Sequence, residues 1–341
     1  MPIHGRRGGA AWSTRFRLGR RGLLSALCAG ATLYVLVGLL GLLPGQGASA
    51  AALRDRMASA GPRVVIVTTT RYDAPLDPAT NVRWALAVRT AEAARAAGHP
   101  LIVVDGSPAP DIAAEVVRVL GTELGATVVP QVAAAGGGGG GGGDTTKGGA
   151  LRQALAEAGR RFGAQRPLIA FQEPEKWSMV GHWAAVAAAV AAAGRTAGVI
   201  VVPQRTATAW ATYPLEQQHS EQFGNAYVAN LLRDAPWAAA ADAHGRGGGG
   251  GGGWDWFFGP FAVSSDLLPF FAGYDGAWWD AQIVPLLRAW RAGAAAPPLS
   301  VPVDFVCDPR QRAEEEGSVA YCRKRLHQLQ YLFPLLAAAI E

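Results

Sequence analysis

The chain has 341 residues, half of them hydrophobic and 17% charged, enough for one large domain or two small ones with a sizeable core. Its net charge of +5 is concentrated at one end. Residues 1–21 carry six Arg and no acid, so the remainder sums to −1 and has no dense Lys/Arg cluster, which argues against a nucleic-acid-binding face.

In chain order, that Arg-rich tail comes first. It is followed by Gly22 to Leu43, which holds no charge and no Pro and is long enough to span a bilayer. Positive charge before an apolar span predicts a cytoplasmic N-terminus with the rest of the chain on the lumenal or outer side. This is a type II signal-anchor arrangement, and Golgi or ER is the expected organelle. The rival reading is secretion after cleavage near Ala48-Ser49-Ala50, a small-residue site. Residues 44–61 read as a stem, and residues 62–341 as a single domain interrupted by two glycine runs, 136–143 and 247–253. Unbroken glycine carries too much backbone entropy to order itself, so both runs read as loop insertions.

Within the domain, strands and helices alternate. Arg63–Thr70 is a β-branched run after Gly-Pro and predicts a buried strand. A helix follows over Asn81–Ala97, stopped at Gly98. Leu101–Val104 predicts a strand ending at Asp105, then a helix over Asp111–Leu120, a short strand over Ala126–Val129 and a helix over Lys147–Gly159. Leu168–Phe171 and Val199–Val202 predict strands flanking a helix over Trp177–Ala193. Helices over Leu215–Arg233 and Ser318–Leu336 and a strand over Val301–Val306 complete the set. Phe258–Gly293 reads as a Gly-Pro turn, an apolar segment, a Gly-Tyr-Asp turn, Trp278-Trp279-Asp280 and an amphipathic helix bearing Arg288 and Arg291. Alternation of this kind predicts an α/β fold, with a mostly parallel, Rossmann-like sheet and helices on both faces. Ligands in such sheets sit at the carboxyl ends of strands. The polar residues there are Thr70/Arg71, Asp105, Gln172–Lys176 and Gln204/Arg205.

Several local patterns could carry chemistry. Val103-Val104-Asp105-Gly106-Ser107 puts a carboxylate at a strand end, where it could accept from a nucleoside; an ordinary Asp-Gly turn reads the same way. Lys147-Gly148-Gly149 opens a helix whose N-terminal amides favour phosphate. Gln172-Glu173-Pro174-Glu175-Lys176 follows a buried strand, and the same residues also make a good helix start. Trp278 and Trp279 offer flat apolar rings beside Asp280, which is either a general base or a helix-capping acid. Gln217, Glu221 and Asn225 share one helical face, read as solvated or structural. The run Asp308–Glu316 reads as exposed. Cys307 and Cys322 are either bridged or two ordinary thiols, and no Cys-His spacing suggests zinc.

In order and spacing, these patterns resemble nucleotide-sugar glycosyltransferases of the GT-A type, in particular the large inverting family that includes cellulose, chitin and hyaluronan synthases. Gly273, Tyr274, Asp275 and Asp280 match that family's "GGFDE…ED" loop. The resemblance implies Asp280 as catalytic base, Asp105, Lys147, Glu173, Glu175 and Lys176 on the donor, and Trp278 and Trp279 on the acceptor. It also implies Glu173 and Glu175 as ligands of a divalent Mg²⁺ or Mn²⁺ in place of an Asp-x-Asp pair, with Lys176 as a partial substitute cation, and no redox cofactor. The partners it implies are a nucleotide-sugar donor, a glycan, lipid or small-molecule acceptor and the membrane, without nucleic acid. A nucleotidyltransferase shares the expected sheet, although Thr68–Asp73 lacks that class's glycines. A non-catalytic carbohydrate-binding or scaffold protein is the third reading.

Overall fold

The computed structural model describes residues 61–132, 145–241 and 253–341. The expected apolar span at 22–43, the first glycine run and all of the second except Gly253 lie outside the described residues. Among the described residues, no helix is long and apolar enough to cross a membrane.

The domain is a three-layer α/β structure around one seven-stranded sheet. Its strands are β1 (Val64–Thr70), β2 (Leu101–Asp105), β3 (Thr127–Pro130), β4 (Leu168–Phe171), β5 (Ile200–Arg205), β6 (Phe261–Ser264) and β7 (Leu299–Val303). Their spatial order is β3-β2-β1-β4-β6-β5-β7. All neighbours run parallel except β6, which is antiparallel to both β4 and β5. The principal helices are α1 (Val82–Ala96), α2 (Pro110–Val116), α3 (Lys147–Phe162), α4 (Trp183–Ala192), α5 (Ala207–Trp210), α6 (Leu215–Asp234), α7 (Leu268–Ala272), α8 (Asp280–Arg291), α9 (Pro309–Glu315) and α10 (Val319–Ile340).

Strand alternation explains the layers, because successive side chains point to opposite faces. In β1, Val65 and Val67 join one core with α3, α6, α8 and α10, while Val64 and Ile66 join the other with α1, α2 and α4. The strands therefore read as continuous apolar runs, as expected where both faces are covered.

Most boundaries follow the sequence expectation. β6 is the addition: its four residues gave no alternation, and its direction cannot be read from composition. The predicted helix over Trp177–Ala193 opens as a 3₁₀ segment, Trp177–His182, before α4. The predicted helix over Asp111–Leu120 widens from α2 into a π-helical stretch, Val117–Glu123. The charge run at 308–316 folds as α9, with Glu315 turned inward and buried. Cys307 and Cys322 are both free thiols.

The chain runs from β1 outward to β2 and β3, then returns to place β4 on the other side of β1. Strand order reverses between β1 and β4, and such switch points open a crevice at the carboxyl ends of the strands.

Candidate functional site

A cleft of about 640 Å³ lies at that switch point, lined by Thr70, Arg71, Tyr72, Arg83, Lys147, Glu173, Glu175 and Trp278, among others. Three chain segments build it.

Asp105, the last residue of β2, is buried beside the cleft, behind Thr70, which lines it. The Thr70 hydroxyl, at the end of β1, donates to Asp105 Oδ1 at 2.8 Å, and the Ser107 hydroxyl donates to the same oxygen at 2.8 Å. The Tyr72 amide caps Ser107 Oγ at 3.0 Å. Burial pushes the Asp105 carboxyl up from its ordinary range, and these hydrogen bonds partly offset it. The Asp-Gly-Ser turn is thus a built feature. A Cβ on Gly106 would sit 2.3 Å from Gln131 Oε1, so that side chain would have to shift to admit one.

Lys147 stands at the first position of α3. Thr146 caps that helix by accepting from the Gly149 amide at 3.2 Å. The first turn of α3 docks on the loop before α8: Gly148 N donates to Ala277 O at 2.8 Å, and Arg152 donates to Tyr274 O and Gly276 O at 3.0 and 2.8 Å. A Cβ on Gly148 would lie 1.9 Å from Gly276 O, so only glycine allows this approach. The two motifs that the sequence places 130 residues apart therefore share one wall.

The Glu173–Lys176 loop is fixed from three sides. Gln172 is buried; its amide donates to Lys176 O at 3.0 Å and its carbonyl accepts from Trp183 Nε1 at 2.7 Å. Thr90 donates to Pro174 O at 2.6 Å. Glu173 then meets two ammonium groups, Lys147 at 3.2 Å on Oε1 and Lys176 at 3.5 Å on Oε2. Gln282 of α8 also reaches Oε1, at 3.4 Å. Gly259, at φ +98°, lies against this carboxylate, where a Cβ would be 2.6 Å from Oε1. Burial would raise the Glu173 carboxyl, but the lysine charges outweigh it and hold it at about 2. Lys176 is further anchored on Phe258 O and lies 4.5 Å from the centre of that ring.

This donor set does not fit a divalent cation. Both Glu173 oxygens face lysine charges, and among the described residues no group of three or more His, Cys, Asp or Glu could hold a metal. Glu175 is the other carboxylate that lines the cleft. Positive charge at the cleft comes instead from Lys147, Arg71 and Arg83, with Lys176 in the adjoining chamber.

Trp278 and Trp279 separate. Trp278 is 47% exposed at the rim of the cleft. Trp279 packs partly on the core and lines a smaller polar chamber of about 90 Å³ that also borders Glu173, Lys176 and Gln282.

Asp280 is the first residue of α8, the place that the helix-opening reading gives it. It is 1% exposed and its carboxylate is occupied. Tyr274 donates to Oδ2 at 2.7 Å, while Tyr331 and the Trp278 amide donate to Oδ1 at 3.1 and 2.9 Å. A Cβ on Gly276 would lie 2.2 Å from Oδ2. Asp280 opens α8 and ties it to α10. With three donors and no exposed lone pair, it is not arranged to take a proton from an acceptor. Neither tyrosine was singled out as its partner in the sequence, and Tyr331 is 51 residues away.

Gln217, Glu221 and Asn225 face inward. Arg205 pairs with Asp255 at 2.7 Å and Glu221 at 2.5 Å; Arg325 reaches Glu221 at 2.7 Å and Asn225 reaches Asp255 at 2.8 Å. These ions knit β5, α6 and α10 together beneath the chamber. Burial would lower the Arg205 guanidinium, but Asp255 and Glu221 hold it firmly protonated. Burial likewise opposes ionisation of Glu221, and Arg205 with Arg325 keeps it charged.

Fold and cleft together define a three-layer α/β protein with a cationic switch-point site. No protein-family model matches the chain, and no curated protein matches it. Among solved structures it is similar to one described as a candidate nucleotide-diphospho-sugar transferase from Desulfovibrio desulfuricans G20, with 12% identity, coverage of 80% of this chain and 97% of that one, and a TM-score of 0.37. That likeness is too slight to carry a family or an activity to this chain.

Proposed function

We propose that the switch-point cleft binds the nucleoside diphosphate of a nucleotide-sugar donor and that the protein transfers the sugar to an acceptor. The carrying observation is the paired lysines: Lys147 and Lys176 converge from two elements on the Glu173 carboxylate, Lys147 lining the cleft and Lys176 the chamber that shares Lys147 and Glu173 with it. A diphosphate entering there would meet Lys147, Arg71, Arg83 and the N-terminus of α3, which favours anions, and would reach Lys176 on the chamber side of Glu173. Asp105, held by Thr70 and Ser107, stands at the end of β2 to accept from a ribose hydroxyl or base N–H.

In this reading, the charge that develops on the diphosphate as the anomeric bond breaks is balanced by fixed lysines and not by a metal. Preorganised cations in a water-poor site make up a large part of transfer catalysis. The sugar end would reach the chamber beside Trp279 and Gln282. No general base is assigned, because Asp280 is occupied. Residues 22–43 would anchor the protein with the domain on the lumenal side.

Thermal shift with a panel of nucleoside mono- and diphosphates and nucleotide sugars tests the reading. Diphosphates should stabilise the protein and monophosphates much less, with the same shift in excess chelator. Equal shifts for mono- and diphosphates, or stabilisation only with Mn²⁺, would contradict it.

A further inference from the structure

A second cleft, of about 310 Å³, opens at the carboxyl end of β5 and is lined by Gln204, Trp210, Gln222, Asn225, Trp254 and Asp255, among others. We propose that this cleft binds a pyranose ring of a glycan. None of these residues lines the diphosphate cleft, so the proposal stands apart from the nucleotide reading.

Both indoles are held before any ligand arrives. The Arg205 guanidinium carbon lies 3.6 Å from the Trp210 ring centre and backs one face of the indole. Arg205 is itself buried and fixed by Asp255 and Glu221. Trp254 donates from Nε1 to Pro298 O at 2.9 Å and meets Trp290 edge-on at 5.2 Å. Rings fixed in this way lose little freedom when a ligand binds.

The polar side chains that line the cleft with them are three amides and the Asp255 carboxylate. Gln204 Oε1 accepts from the Ser300 hydroxyl at 3.1 Å, which orients its side chain. Asn225 is set by Asp255 and the Phe257 amide. Gln222 is exposed on α6 and faces the same space.

Charge decides the ligand class. Among the described residues no Lys or Arg lines this cleft, and the one acid that does, Asp255, is neutralised by Arg205. Such a surface has nothing to hold a phosphate, unlike the cleft at Lys147. It offers flat apolar faces flanked by neutral donors and acceptors. A ligand with one apolar face and a rim of hydroxyls satisfies both, since buried polar groups must stay hydrogen-bonded. A pyranose has C–H groups on its face and hydroxyls around its edge. The volume is at the lower end of small-ligand sites, roughly 300–1,000 Å³.

Saturation-transfer NMR on the full chain in a sugar-free detergent tests this with cellobiose, chitobiose and maltose. At least one disaccharide should show ring-proton signals. Affinity should fall roughly tenfold or more in Trp210→Ala and by a smaller factor in Gln222→Ala, whose exposed position spares the fold. Lys147→Ala should bind the sugar as the wild type does. Absence of signal from all three disaccharides, or equal binding in wild type, Trp210→Ala and Gln222→Ala, would overturn the proposal.

Discussion

Two carboxylates near the cleft have opposite surroundings, and those surroundings assign their work. Glu173 faces two ammonium groups at the cleft mouth, whereas Asp280 is sealed beneath two tyrosine hydroxyls and an amide. If Asp280 is a tie between α8 and α10, then Asp280→Ala strands those donors. An unsatisfied buried donor costs about 1–3 kcal/mol. Loss of about 2–4 kcal/mol is expected, read as a melting temperature lower by roughly 5–10 °C, with nucleotide-diphosphate affinity unchanged within about twofold. An unchanged melting temperature with abolished turnover would restore the general-base role. In the sequence, Asp280 was visible as a helix-opening acid. Its burial was not, because Tyr331 arrives from another helix. The pairing of Glu173 with Lys147 was equally hidden: a spacing of acid-x-acid says nothing about a lysine 26 residues earlier.

At the scale of elements, the wall between α3 and the loop before α8 is the least forgiving contact. Ala within a helix normally stabilises over Gly by about 1 kcal/mol. At position 148 the sign should reverse, because a Cβ would meet Gly276 O at 1.9 Å. Gly148→Ala should destabilise by about 1–3 kcal/mol net and weaken nucleotide binding as Lys147 shifts. Gly163→Ala, with nothing within 4 Å of its would-be Cβ, should do neither. Denaturant unfolding of the two variants decides it, and equal stability would mean the wall yields. The elements themselves were legible where apolar runs lie between Gly or Pro, as in β1, β2 and β4. β6 was not, because four apolar residues buried on both faces carry no period. The inward turn of Gln217, Glu221 and Asn225 was half legible: their shared face showed, but not the Arg205 and Arg325 that draw it inward.

For the molecule as a whole, the sheet order explains why residues from β1, the β4 loop and α3 meet at all: the reversal between β1 and β4 leaves a crevice that each of them lines. The alternating pattern predicted a parallel sheet with ligands at its carboxyl edge, but strand order, and with it the place of the crevice, depends on long-range pairing that no local pattern carries. The anchored arrangement has its own test. In microsomes, a C-terminal tag should resist protease until detergent is added, while an N-terminal tag is digested; the reverse pattern would place the domain on the cytoplasmic side.

Lys147 and Lys176 are proposed to hold a diphosphate. Isothermal titration of a nucleoside diphosphate, in chelator, into wild type, Lys147→Ala and Lys176→Ala tests it most directly. Hydrogen bonds to charged groups contribute about 1.5–3 kcal/mol, so each variant should bind roughly 10- to 100-fold more weakly than the wild type. Wild-type affinity in both variants, or no binding by the wild type to any nucleoside diphosphate, would contradict the account.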